Sequence, residues 1–94
     1  MPYIKAQDRL EFKEIEKEIS YLNIETPGNL QYIVSLLIAQ YLREKGEVRY
    51  QHCNDIMGAL TGANMEFYRQ IVAPYEDICI ERNGEVDGYN KVRH

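Results

Sequence analysis

A chain of 94 residues, 45% apolar and 28% charged, has the length of one domain and the composition of a folded one, which excludes disorder, a collagen-like repeat and a disulfide scaffold. At this size folding withdraws only roughly 60 to 65% of the unfolded surface from water, so any core is thin. The net charge is −4, and acids and bases interleave as far as Lys45. That leaves no basic stripe to neutralise phosphates, and nucleic acid is not expected as a direct ligand.

The opening, MPYIKAQD, has no basic segment followed by a long apolar run, and the expectation is a chain that stays in the cytoplasm. Residues 1–7 read as an N-terminal arm. Tyr3 and Ile4 precede any periodic segment, so their apolar groups have to lie on this chain's own surface or on a neighbour's.

Over residues 8–22, Phe12, Ile15, Ile19 and Leu22 recur at three and four, which predicts a first amphipathic helix. Glu11, Lys13, Glu14, Lys17 and Glu18 fill its other face, as a solvated surface does. Only three residues, Asn23 to Glu25, then separate it from the next start signal, a length that suits an antiparallel helical hairpin.

Thr26-Pro27 is that signal: the threonine oxygen can accept an orphan N–H, and proline has none to lose. Leu30, Ile33, Val34, Leu37, Ile38, Tyr41 and Leu42 give the second helix an apolar face wide enough for two neighbours, and Gly46 ends it. The longest apolar run, residues 33–39, is interrupted by Ser35 and falls far short of the roughly 20 residues that cross a bilayer. No membrane span is expected.

A third periodic stretch covers residues 50–73, carried by Ile56, Leu60, Ala63, Phe67 and Ile71. Gly58 and Gly62 lie inside it, each costing about 1 kcal/mol relative to alanine. They share a face with Ala59 and Ala63 adjoining, which suits close approach of the second helix or of a second subunit, the alternative being room left for a ligand. Pro74 should end or kink this helix at Ala73. Beyond it a short helix closed by Asn83-Gly84 is favoured over a hairpin turning at the same pair, and residues 87–94 read as a loose tail.

The fold expected is therefore all-α: one domain spanning 1–94, a compact bundle of three main helices with a short C-terminal helix or hairpin.

Chemistry has few places to sit. Cys53 and Cys79 form neither a CxxC pair nor a zinc pattern and read as buried free thiols. His52 and Cys53 adjoin, but helical neighbours diverge by about 100° and do not make a nucleophile and its base. No phosphate-cradling loop or nucleophile elbow occurs. Asp55 and Glu66 share a helix face but stand about 16 Å apart, at ~1.5 Å per residue, too far for one metal.

The segment EFYRQIVAPYED, residues 66–77, is the densest in functional groups. A break at Pro74 could fold Glu76 and Asp77 toward Glu66 and create a divalent-metal site. The competing reading pairs Glu66 with Arg69 and places the two later acids at a helix N-terminus. Eight tyrosines, two phenylalanines and no tryptophan suit either an interface or the rim of a thin core.

The segments MPYIKAQDR, GNLQYIVSLL and MEFYRQIVAPYEDICIERNGEV resemble a small uncharacterised family of bacterial, archaeal and phage proteins, helical and without an assigned activity. The resemblance supplies no catalytic residue. The chain departs from it at Thr61, Gly62 and Asn64, where glutamate, cysteine and lysine are expected, so no function resting on a helix acid at that place transfers.

The expectation is thus an interaction module without cofactor, self-associating or bound to an unidentified protein, with Tyr3, Ile4, Gly58 and Gly62 at contacts. The alternative is a metal-dependent nucleotide phosphohydrolase of the all-α pyrophosphatase type, with Glu66, Glu76 and Asp77 on the metal and Arg69 near phosphate.

Overall fold

The computed structural model describes residues 4–84, 86–90 and 92, and these are helical with no strand among them. The all-α expectation is met. Tyr3, half of the arm contact expected from the sequence, lies outside the described residues. The chain divides into two units, Met1–Cys53 and Asn54–His94.

In the first unit a 3-10 helix, Ala6–Phe12, runs directly into α1, Lys13–Ser20. The sequence predicted one α-helix across this span. No side chain at Lys5 caps the start, and the first turn is closed instead by a tight Asp8 N–H to Lys5 carbonyl bond of 2.9 Å. Arg9 helps by donating from Nε to the Ile4 carbonyl at 2.8 Å.

Residues 22–25 carry no regular structure before α2, Pro27–Lys45. The start of α2 is a capping box. The Asn29 N–H donates to Thr26 Oγ1 at 3.1 Å, and Asn29 Oδ1 accepts the Thr26 and Glu25 N–H groups, each at 3.2 Å. Pro27 occupies the first turn, where no N–H is owed. At the other end Gly46, at φ 85°, turns the chain out of the helix while its N–H bonds the Arg43 carbonyl at 3.2 Å. The start and stop of this helix were both legible from Thr26-Pro27 and Gly46.

The antiparallel hairpin is not formed as a packed pair: α1 contacts the 3-10 segment before it, and among the described residues no contact joins α1 to α2.

α3, Tyr50–Phe67, begins in the first unit and continues into the second. His52 Nδ1 accepts the Arg49 N–H at 3.2 Å, so this histidine closes the helix start. In the second unit α3 passes into a π-helical turn, Tyr68–Val72, then α4, Ala73–Asn83, and one further turn, α5, Asp87–Asn90. Residues 74–83 resolve as helix rather than hairpin, closed by Gly84 at φ 81° whose N–H bonds the Ile80 carbonyl at 2.7 Å. The turn Asp87–Asn90 lies within the stretch expected to be a loose tail.

None of the described residues is buried. The apolar stripe of the first segment stays open, with Phe12, Ile15, Ile19 and Leu22 between 40% and 48% exposed. Ile33, Val34, Ile38, Tyr41 and Leu42 on α2 and Ile56 on α3 are half-buried. Cys53 is exposed and Cys79 half-buried, both as free thiols, which corrects the expectation that burial would protect them.

Candidate functional site

The break at Pro74 has a definite form. Proline at that position lacks the N–H that an α-helix would bond to the Gln70 carbonyl, and its ring crowds that carbonyl. The helix responds by widening. The Ala73 N–H reaches back five residues to the Tyr68 carbonyl, the π pattern, rather than four. Pro74 then falls in the first turn of α4, where its missing donor costs nothing.

The widened turn aligns two side chains that an unbroken helix would separate. Eight residues at about 100° each leave Tyr68 and Glu76 about 80° apart in an α-helix. A π turn takes up one residue more, so the pair lines up as i and i+7 do, within about 20°. Tyr68 donates its hydroxyl to Glu76 Oε1 at 2.5 Å. The Glu76 carboxylate, as acceptor and as charge, holds the Tyr68 hydroxyl above the usual tyrosine range, with desolvation and the Asp77 charge adding in the same direction.

Below this bond lies an open groove of about 460 Å³, walled by Cys79 and Ile80 on α4 and by Val86 and Tyr89 beyond Gly84. Tyr68 and Glu76 form its polar edge. Tyr89, whose N–H bonds the Val86 carbonyl at 3.0 Å, also lines it.

The sequence-predicted acids are placed as follows. Glu76 is engaged by Tyr68; Glu66, half-buried, accepts from Gln70 Nε2 at 3.0 Å one turn on; Asp77 stands beside Glu76. Among the described residues no group of three or more His, Cys, Asp or Glu side chains is disposed to hold a metal ion. Of the small residues, Gly58 lies open: a methyl added there meets nothing within 4 Å. Gly62 is half-buried, and Ile4 is 50% exposed. His52 Nδ1 accepts the Arg49 N–H, beside the exposed thiol of Cys53.

Sequence reasoning located the break but missed the Tyr68–Glu76 bond and the groove. The only signal was the proline itself, since a spacing of eight is not one at which helical side chains ordinarily meet.

One family model spans the first unit, the π turn and α4, matching residues 1–86. The chain belongs to the family described as Domain of unknown function (DUF6899). Membership of a family without an assigned function is in line with the expectation from the sequence. No curated protein and no solved structure gives a match. The DUF6899 match takes in Tyr68, Glu76, Cys79 and Ile80, so the polar edge and the α4 wall of the groove belong to the family domain, while Tyr89 lies past its end.

Proposed function

We propose that this DUF6899 domain is a non-enzymatic helical interaction module that self-associates. One observation carries the reading: no described residue is buried, while large apolar side chains are exposed along every principal helix. Leu30, Leu36 and Leu37 on α2 are 50% to 58% exposed, and Met57 and Met65 on α3 are 66% and 65% exposed. Ordering each residue costs roughly 1 to 2 kcal/mol of conformational entropy, and apolar burial is the term that offsets it. Helices of this length are marginal in water without tertiary packing.

A second copy is the partner that supplies matching amphipathic faces without a further gene product, and two-fold homo-oligomers are the commonest assemblies. The acidic balance of the chain argues against nucleic acid as the partner. Two free thiols suit a reducing, cytoplasmic setting. Among the described residues no helix is long and apolar enough to cross a membrane.

Sedimentation velocity over a hundredfold range of concentration tests the reading. A species of twice the chain mass or more, dissociating on dilution together with loss of helical circular dichroism, is the expected outcome. A helical monomer at every concentration would mean that the apolar faces are covered within one chain, and self-association would be wrong. Thermal stabilisation by magnesium or manganese with a nucleotide, lost in the Glu76→Gln, Asp77→Asn double variant, would instead favour the phosphohydrolase.

A further inference from the structure

The Tyr68 hydroxyl, the Glu76 carboxylate and the π turn between them form a two-state element. In the observed register the Ala73 N–H bonds the Tyr68 carbonyl, and the Tyr68 side chain bonds Glu76 across eight residues. In a regular α register the Ala73 N–H would bond the Arg69 carbonyl instead, and Glu76 would swing about 100° out of reach of Tyr68. The side-chain bond can therefore form only in the widened register.

We propose that the Tyr68–Glu76 hydrogen bond is a register latch, which holds the π turn closed and thereby fixes where α4 leaves the end of α3. Pro74 biases the turn toward the π register from the backbone side, by removing a donor and crowding the Gln70 carbonyl. The latch acts from the side-chain side, and the two are independent contributions to one equilibrium. The place of Tyr68 in the groove depends on this equilibrium, since Glu76, Cys79 and Ile80 all lie on α4 and Tyr68 joins them from before the turn. Loss of the Tyr68 hydroxyl proton to solvent base takes away the donor and sets negative charge against Glu76 and Asp77. That change would release the latch without touching the backbone.

Amide hydrogen exchange, followed residue by residue by NMR on the full chain, reads the latch at the Ala73 N–H. Tyr68→Phe removes the donor while keeping the ring. The expected result is exchange at Ala73 faster by about threefold or more, the scale of one lost side-chain hydrogen bond, with α2 amides such as Leu36 unchanged. Glu76→Ala should reproduce this result. Glu76→Gln, which retains an acceptor oxygen, should lie nearer the parent. Unchanged exchange at Ala73 in both Tyr68→Phe and Glu76→Ala overturns the latch. So does a uniform rise across α2 and α4, because that reports loss of global stability rather than release of the turn. Should Tyr68→Phe fail to fold, the comparison of Glu76→Ala with Glu76→Gln decides alone.

Discussion

Individual side chains in this protein do most of their work on the backbone. Thr26 and Asn29 satisfy three N–H groups at the start of α2 between them, and His52 satisfies one at the start of α3. Thr26→Ala should therefore destabilise the protein by about 1 kcal/mol, within a range of ~0.5 to 2, in thermal unfolding at a fixed chain concentration. Tyr68 is the residue whose chemistry the structure alters. Because the Glu76 carboxylate raises its pKa, Tyr68 contributes stability that is complete below the ordinary tyrosine value of about 10 and is lost as pH climbs through the higher folded value. Phenolate absorbance should show an ionisation step displaced above the ordinary tyrosine range, and Tyr68→Phe should abolish that late step. If the late step survives in the variant, it belongs to a different tyrosine. The capping of α2 could be read directly from Thr26-Pro27, because caps are local and depend on residue types a few positions apart. The histidine could not, since Nδ1 as a backbone acceptor is one role among several open to that side chain.

At the level of elements, the positions of helices were legible and their hydrogen-bond patterns were not. Apolar spacing and Gly46 bounded α2, and Pro74 with Asn83-Gly84 bounded α4, but nothing in the periodicity separates a 3-10 start from an α start. The span Ala6–Phe12 shows the reason: its apolar spacing is compatible with both. The π turn is a similar case, since proline dictates that the ladder be interrupted without dictating how. Replacing Pro74 with alanine restores the donor and removes the crowding, a constraint worth about 3 kcal/mol in a helix interior. The expected structure of that variant has residues 68–73 in α geometry, the Ala73 N–H bonded to Arg69, and the Tyr68–Glu76 bond broken. A π turn that persists in the crystal or NMR structure of Pro74→Ala would assign the widening to the side chains rather than to the proline.

For the whole molecule the question is what covers the apolar faces, and the glycines of α3 offer a test whose sign differs between the answers. Gly58 is open within the chain, so a leucine there meets no neighbour and should improve the helix by roughly 0.8 kcal/mol, the difference in intrinsic propensity. That is the outcome if α3 remains uncovered on this face. If instead the small face at Gly58, Ala59, Gly62 and Ala63 lies against a second copy, leucine forces the two backbones apart at a cost of about 1 to 3 kcal/mol. Self-association then weakens by roughly one to two decades, at 1.4 kcal/mol per tenfold. The reading of the chain as a self-associating module commits to the second outcome: Gly58→Leu should raise the dissociation constant measured by sedimentation while leaving, or increasing, the helicity of the dissociated chain. Two glycines in the middle of a helix cost about 2 kcal/mol together, and a close contact between copies is what would offset that cost. A Gly58→Leu chain that melts higher and associates as tightly as the parent would remove α3 from the interface and shift attention to the exposed leucines of α2.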